Sequence, residues 1–384
     1  MAKRIYNSTP KQDGFRMPGE FEPQERIWMI WPQRPDTWRD NAKPAKQAYA
    51  QVAKAIAEFT PVTMLVSFGQ WENAGRLLAI SGEPEHDRKT PKYEIRILEM
   101  DSDDAWARDT GPSFLVNDKG DLRACDWTFN AWGGSVDGLF APWDKDDLIA
   151  GKICELTNTD SYRTDGFVLE GGSFHVDGQG TVLTTEMCLL SGGRNPHMTK
   201  EEIEEKLKQY LNAEKVIWLK DGIDPEETNG HVDDVACFVR PGEVACIYEE
   251  NPDSPFYKAS HAAYEMLCGA VDARGRRLKV HKLCCTKRPI QLPEDYRIAD
   301  SITAADRKAG DICIASYANF LTTNGGVIVP QYGDENDALA LRQIQALFPE
   351  RRAVGVYTRE IVYGGGNIHC ITQQQPLSCS VDKR

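Results

Sequence analysis

Tyr363-Gly364-Gly365-Gly366-Asn367-Ile368-His369-Cys370 is the stretch whose residue types most directly permit chemistry. Three glycines let a backbone approach a ligand closely and leave the thiol of Cys370 uncrowded. No Lys-Ser or Lys-Thr follows them, which excludes a phosphate-binding P-loop. A Gly-rich turn leading into a strand with an incidental cysteine fits the same letters, so the thiol gains meaning only with a base. His369 is adjacent in sequence and on a strand points away from Cys370. His231 is the better partner, because a catalytic Cys and its His meet in space rather than in sequence.

His231 lies in Asn229-Gly230-His231-Val232-Asp233-Asp234. On a strand His231 and Asp233 share one face, so an imidazole and a carboxylate could act on two parts of one substrate. His175-Val176-Asp177 has the same spacing, but Asp177 starts an Asp-Gly turn. A conformational role is expected for Asp177, and packing or hydrogen bonding for His175. A metal on His231 and Asp233 would need further ligands, and no complementary Cys/His cluster with ligand spacing accompanies them. Cys284-Cys285 follow an apolar strand and read as structural.

Two further carboxylates stand beside turn-forming residues. In Leu169-Glu170-Gly171-Gly172 the glycine pair allows close backbone approach around a ligand, although plain bulges use the same pair. Trp106-Ala107-Arg108-Asp109-Thr110-Gly111-Pro112 joins a large aromatic, a carboxylate and a forced turn. Its alternative is the start of a strand, with Asp109 capping backbone amides and Arg108 pairing a surface acid. Asp101, Asp103 and Asp104 form either a cation-attracting rim or a solvated loop.

Positioning these residues falls to a recurring unit of strand, tight turn, strand, helix and strand. Its first copy has Pro112 to Val116, the turn Asn117-Asp118-Lys119-Gly120, and Leu122 to Thr128. A second has Gly172 to Val176, the turn Asp177 to Gly180, and Thr181 to Leu189. A helix opened by Thr199 with Glu202 three residues on follows, the spacing of a capping box, then the strand Val216 to Leu219. The third has Asp234 to Val239, the turn Arg240 to Glu243, Val244 to Tyr248, a helix over about 255–268, and Leu278 to Leu283. A fourth has Ile314 to Thr322, the turn Thr323 to Gly326, and Val327 to Pro330. Its helix carries Ala338, Leu341, Ile344 and Leu347 on one face, before the strand Ala353 to Tyr357. Arg26 to Trp31 and Ile368 to Gln373 complete a fifth if the termini meet. Five alike modules imply a closed ring, since each buries its apolar face only against neighbours. A ring aims equivalent strand ends at one axis, and Asp109, Glu170 and His231 each stand just ahead of a hairpin turn.

Composition narrows the partners. The chain has 384 residues and 58 acidic against 45 basic side chains, a net charge of −13 that argues against nucleic-acid backbone binding. No apolar run nears the ~20 residues that span a bilayer. Met1 to Gly14 is polar without a secretory hydrophobic stretch, and neither Cys379 nor the tail Ser380 to Arg384 carries a lipidation signal. Eleven cysteines are an odd count, and Cys237 and Cys246 sit in apolar runs where a reduced thiol packs as a small hydrophobe. A reducing, cytoplasmic location is expected.

W-A-R-D-T-G-P, D-W-T-F-N-A-W-G-G, L-E-G-G, N-P-H-M, E-T-N-G-H-V-D-D and G-G-G-N-I-H-C-I-T-Q-Q-Q-P together resemble the agmatine deiminase family of the guanidine-modifying superfamily. The resemblance runs from about Met17 to Pro376, with no departure at a catalytic position. It implies a five-bladed α/β propeller of ββαβ modules around a central active-site channel. Residues 1–384 would form a single catalytic domain with short polar tails. Agmatine, a four-carbon chain with a guanidinium at one end and an ammonium at the other, would yield N-carbamoylputrescine and ammonia without metal or organic cofactor. By resemblance Asp109 and Asp233 grip the guanidinium and Cys370 attacks it to form an amidino-thioether. His231 protonates the departing ammonia and activates water, and Glu170 orients His231. Trp106 would wall the methylene chain, Gly366 would let the backbone approach the substrate, and Glu227 would meet the distal ammonium, unless Glu227 is an exposed loop acid. The bound guanidinium would help form the thiolate that the carboxylates oppose in an empty site. A homo-oligomer is also implied. Arginine or peptidyl-arginine deimination is the same-chemistry alternative, and it must pair an α-carboxylate, normally with an arginine. A non-catalytic polyamine-binding protein needs neither Cys370 nor His231, and a metal-dependent hydrolase lacks its ligand set.

Overall fold

Five antiparallel strand pairs, each extended by a parallel strand, make up the sheets of the computed structural model, which describes residues 2–78, 91–224, 227–302 and 304–378. In the first blade Ser113–Val116 runs antiparallel to Leu122–Thr128, and the helix Ile149–Thr157 leads to the parallel strand Asp160–Val168. Arg4–Ile5 extends that sheet along Asp160–Val168. The second blade comprises Phe174–Val176, Thr181–Thr185, the helix Lys200–Tyr210 and Lys215–Leu219. The third has Ala236–Arg240, Glu243–Tyr248, the helix Tyr257–Gly269 and Lys279–Cys284. The fourth has Leu321–Thr322, Gly326–Gln331, the helix Asp337–Leu347 and Arg352–Tyr357.

The fifth blade joins the two ends of the chain, as ring closure requires. Thr372–Pro376 pairs antiparallel with Gln24–Ile30, which pairs parallel with Val62–Val66 after the helix Lys43–Ala57. Ile95–Glu99 adds an outer parallel strand. Every residue of Val62–Val66 is buried, as a parallel strand covered on both faces must be. The result is a five-bladed α/β propeller.

Local chemistry explains the boundaries. Thr199 accepts from the backbone of Glu202 while the Glu202 side chain accepts from Thr199, so the expected capping box forms. Asp177 Oδ1 accepts from the backbone of Gln179 and Thr181, which gives Asp177 the turn role read from sequence.

Four expectations need correction. The second-blade strand starts at Phe174 rather than Gly172, because Gly171–Ser173 forms one turn of 3-10 helix. Its partner stops at Thr185, whose hydroxyl accepts from Cys188 N and opens the short helix Glu186–Leu189. In the fourth blade the long strand from Ile314 shrinks to Leu321–Thr322, since Ser316 and Asn319 hydrogen-bond to the third and fifth blades instead. The helix Asp337–Leu347 buries Ala340, Ile344 and Leu347 while Ala338 is exposed. Asp337 fixes that phase by accepting from the backbone of Tyr332 and Gly333. No helix among the described residues is long and apolar enough to cross a membrane. Cys379 and the tail after it lie outside the described residues.

Candidate active site

The segment just before the inner strand of each blade supplies one part of a shared cluster. The first blade contributes Asp109, on the helical turn Ala107–Thr110 rather than at the start of a strand. Asp109 is buried; its Oδ1 accepts from Gly172 N at 2.8 Å and its Oδ2 from Trp132 Nε1 at 2.9 Å. Ala131 and Trp132 both take left-handed backbone, φ 55 and 64, which sparsely allowed geometry aims the indole inward. The alternative in which Arg108 pairs a surface acid does not hold, since Arg108 is 1% exposed. Its guanidinium reaches Glu20, the Gln373 side chain and the carbonyl of His369.

The second blade contributes Glu170 and Gly172. Glu170 Oε1 accepts from Arg194 Nε at 2.8 Å, and Oε2 stands 3.6 Å from His231 Nε2. Burial pushes Glu170 up, yet Arg194 and His231 outweigh it and hold the carboxyl below its ordinary range. Gly172 has a steric reason to be glycine. A Cβ there would lie 2.5 Å from His231 Nδ1, 2.9 Å from Asp233 Oδ2 and 3.1 Å from Asp109 Oδ1. Its backbone is therefore the floor on which three functional side chains meet.

His231 and Asp233 come from the third blade, but not from a strand. His231 precedes the 3-10 turn Val232–Asp234, and that turn, rather than strand alternation, brings His231 Nδ1 to 4.0 Å from Asp233 Oδ1. Burial disfavours the charged imidazole of His231, but Asp109, Cys188 and Glu170 raise its pKa well above the ordinary value. Asp233, although buried, is held below its usual range by His369, His231 and Arg108. His231 Nε2 and Glu170 Oε2 make no shorter bond and face each other as a buried ion pair, whereas Asp233 Oδ1 is buried without a hydrogen bond inside the protein and is open to a ligand.

Cys370, from the fifth blade, completes the cluster. Its Sγ lies 3.7 Å from Asp233 Oδ2 and accepts from Asn319 Nδ2 at 3.1 Å, a fourth-blade residue. Burial pushes the thiol pKa well above the ordinary value, and Asp233, Asp234 and Asp109 push it further. His369 and Cys370 lie on a turn ahead of Thr372 rather than on the strand expected from Ile368, and His369 Nδ1 meets Asp233 Oδ2 at 2.7 Å while Nε2 meets Glu20 Oε1 at 2.8 Å. Gly366 sits against both reactive walls, since a Cβ would approach Trp106 Cζ3 to 2.5 Å and Cys370 Cβ to 3.1 Å.

Trp106 lines the cavity above Cys370, stacked on Trp38 at 5.2 Å and fixed by Asp104 through its Nε1. Glu227 lines the same cavity and pairs with Arg307, so it is not an exposed loop acid. Of the eight sequence-predicted site residues, Trp106, Asp109, Glu227 and Cys370 line one cavity, while Glu170, His231, Asp233 and Gly366 pack directly against members of that lining or of the cluster around Gly172. Sequence reasoning missed Arg194, Asn319, Glu20 and Trp132. Trp132 lies within D-W-T-F-N-A-W-G-G and Arg194 just ahead of N-P-H-M, so both stood beside quoted motifs. Glu20 and Asn319 carried no local signal.

The fold also gathers donors that showed no ligand spacing in sequence. Glu20, His175 and His369 form one group with ligand atoms within 4.8 Å, and Glu170, Cys188 and His231 form another. In both, carboxylates already face imidazoles or Arg108 and Arg194, as hydrogen-bonded charge networks do. His175 Nδ1 accepts from Phe238 N, consistent with the hydrogen-bonding role expected of it.

A family model described as Porphyromonas-type peptidyl-arginine deiminase matches residues 16–376. A relative from Lactococcus lactis subsp. lactis (strain IL1403) is 66% identical over 376 residues, covering 98% of this chain and 99% of its own length. The agmatine deiminase of Pseudomonas aeruginosa (strain LESB58) is 50% identical over 96% of this chain and 97% of its own. The solved structure of an agmatine deiminase of Enterococcus faecalis superposes with a TM-score of 0.93 at 63% identity, covering 98% of this chain and 100% of that one.

Proposed function

The chain belongs to the Porphyromonas-type peptidyl-arginine deiminase family, and from that premise we propose that it is an agmatine deiminase. It hydrolyses the guanidinium of agmatine to N-carbamoylputrescine and ammonia, with residues 1–384 acting as one catalytic unit. The observation that carries the reading is the meeting of Asp109, Asp233 and His231 around Gly172, beside the thiol of Cys370.

Geometry and charge suggest the steps. A planar guanidinium presents N–H forks that match carboxylates bidentately, and Asp109 and Asp233 are the acceptors for them. Trp132 and Gly172 hold Asp109, and His369 holds Asp233, so the grip is preorganised. The cation also offsets the acids that keep Cys370 protonated, so docking releases the thiol proton. The thiolate then bonds to the guanidinium carbon. The C–N bond to one amino group breaks as His231 delivers a proton to it, and ammonia departs from a cationic amidino-thioether. His231 next takes a proton from water, whose oxygen bonds to the same carbon while the C–S bond breaks. The imidazolium is regenerated, the proton shed by the newly formed urea joins the ammonia as ammonium, and the thiolate regains from solvent the proton it lost there on docking. Glu170, anchored by Arg194, orients His231 and sustains its basicity.

Trp106 flanks the methylene chain, Gly366 gives it clearance, and Glu227 receives the distal ammonium. A homo-oligomer in the cytoplasm belongs to the same reading; light scattering decides the assembly, and a monomeric mass removes that part. The decisive assay is ammonia release from agmatine and from L-arginine by the wild type and Cys370→Ala. Agmatine should be far the better substrate and the variant inactive. Equal turnover of both substrates, or an active variant, would refute the assignment.

A further inference from the structure

At the outer end of the cavity the structure holds a cation that agmatine chemistry does not call for. Arg307 belongs to the connection between the third and fourth blades, and its side chain is only 11% exposed. Its Nη1 donates to the carbonyl of Tyr363 at 3.0 Å, and its Nη2 pairs with Glu227 Oε2. Glu227 and Arg307, with Leu139, Ala305 and Gly365, line both the reaction cavity and a wider cavity of about 420 Å³ beside it, so the pair stands where the two cavities meet.

The pair is built in from both sides. The backbone N–H of Glu227 donates to Asp224 Oδ1 at 2.9 Å, and Asp224 also accepts from the backbone and hydroxyl of Thr228. Gly365, at φ +108, lies against the pair; a Cβ there would come to 2.5 Å from Arg307 Nη2 and 2.7 Å from Glu227 Oε2. The glycine run that leads to Cys370 therefore also seats this ion pair.

Guanidinium is the side chain best suited to grip a carboxylate with two parallel hydrogen bonds. A substrate tail bearing an α-carboxylate would find that grip here, except that one fork of Arg307 is committed to Glu227 and another to Tyr363. With Glu227 in place the tail meets a carboxylate, which attracts an ammonium and repels a carboxylate. We propose that Arg307 is a latent carboxylate receptor silenced by Glu227, and that this pair makes the enzyme accept agmatine and reject arginine. The inference rests on the agmatine deiminase reading and adds a specificity-determining residue to it.

Selectivity by a silenced receptor has a signature that selectivity by shape lacks: removing the acid creates the second activity, and removing the arginine abolishes it again. Ammonia release from agmatine, L-arginine and n-butylguanidine, whose tail is uncharged, is measured for wild type, Glu227→Ala, Glu227→Gln, Arg307→Ala and Glu227→Ala/Arg307→Ala. Each kcat/KM is divided by that of n-butylguanidine in the same variant, which cancels general damage to the reaction centre. In Glu227→Ala the arginine ratio should rise by about tenfold or more and the agmatine ratio fall by a similar factor, with Glu227→Gln moving the same way. The double variant should lose the arginine gain. An arginine ratio that stays at the wild-type level in both Glu227 variants overturns the inference, as does a gain that survives loss of Arg307. Wild-type enzyme that releases no ammonia from agmatine overturns the functional reading instead.

Discussion

Asp233→Asn should make Cys370 a better nucleophile toward a neutral reagent and the enzyme a worse deiminase. Asp233 Oδ2 stands 3.7 Å from Cys370 Sγ, and both groups are buried. At that separation two unit negative charges repel by about 4 kcal/mol at an effective dielectric of about 20. Removing one charge raises the thiolate population at neutral pH by up to about a thousandfold. A thiolate that forms more readily is also intrinsically less nucleophilic, with a Brønsted coefficient of about 0.4–0.5, so about thirtyfold remains as net reactivity. His369 keeps Glu20 as its counter-charge and adds to the same direction. Agmatine turnover moves oppositely, because the guanidinium loses charge-assisted hydrogen bonds of about 1.5–3 kcal/mol each, a fall of about a hundredfold or more. The assay is the rate of carboxamidomethylation of the Cys370 peptide by iodoacetamide, followed by mass spectrometry between about pH 6 and 10. Alkylation of the variant no faster than the wild type would refute the argument. So would a wild-type thiol that already titrates below neutrality.

Trp132→Phe keeps the aromatic wall but deletes the indole donor to Asp109 Oδ2. A hydrogen bond to a charged group contributes about 1.5–3 kcal/mol, so kcat/KM for agmatine should fall by about 10- to 100-fold, chiefly through KM. Steady-state ammonia release measures this, and an unchanged KM would contradict the role given to Trp132. His369→Gln tests the charge network by stability. Burial and Arg108 oppose the imidazolium of His369, but Glu20 and Asp233 raise its pKa above the ordinary value. A raised imidazole contributes stability that is fully present below the ordinary value of about 6.5 and is lost as pH rises through the higher folded value. The melting-temperature gap between wild type and variant should therefore be widest near pH ~6 and narrow with increasing pH; a gap that widens runs against the network.

The site was more legible than the path to it. Cys370, His231, Asp109, Glu170 and Asp233 announce themselves by type and by glycine neighbours, and four turn signals with the two terminal strands set the module count. What alternation could not show is that the functional residues sit ahead of strands, on tight turns. His231 and Asp233 converge through Val232–Asp234, and Asp109 is aimed by Ala107–Thr110. Burial of Arg108 was equally hidden, because its partner Glu20 is 88 positions away and ion pairs between blades leave no local pattern. Ser316 and Asn319 misled the strand reading of 314–322, since their side chains bond across blades where an apolar run suggested a ladder.

Closing the ring with both ends of the chain has a consequence for the order of events during synthesis. Thr372 pairs with Met29, 372 − 29 = 343 positions earlier, and Cys370 stands two residues ahead of that pairing. Such long-range contacts form late, because the intervening chain must exist before they can close. On the ribosome the carboxylates and His231 emerge and assemble first, while Gln24–Ile30 waits as an open sheet edge prone to wrong pairing. Docking of Thr372–Pro376 covers that edge and, in the same movement, delivers the thiol. Among the described residues Thr372–Pro376 is the last strand made, so a chain stalled before it lacks the thiol and leaves that edge uncovered.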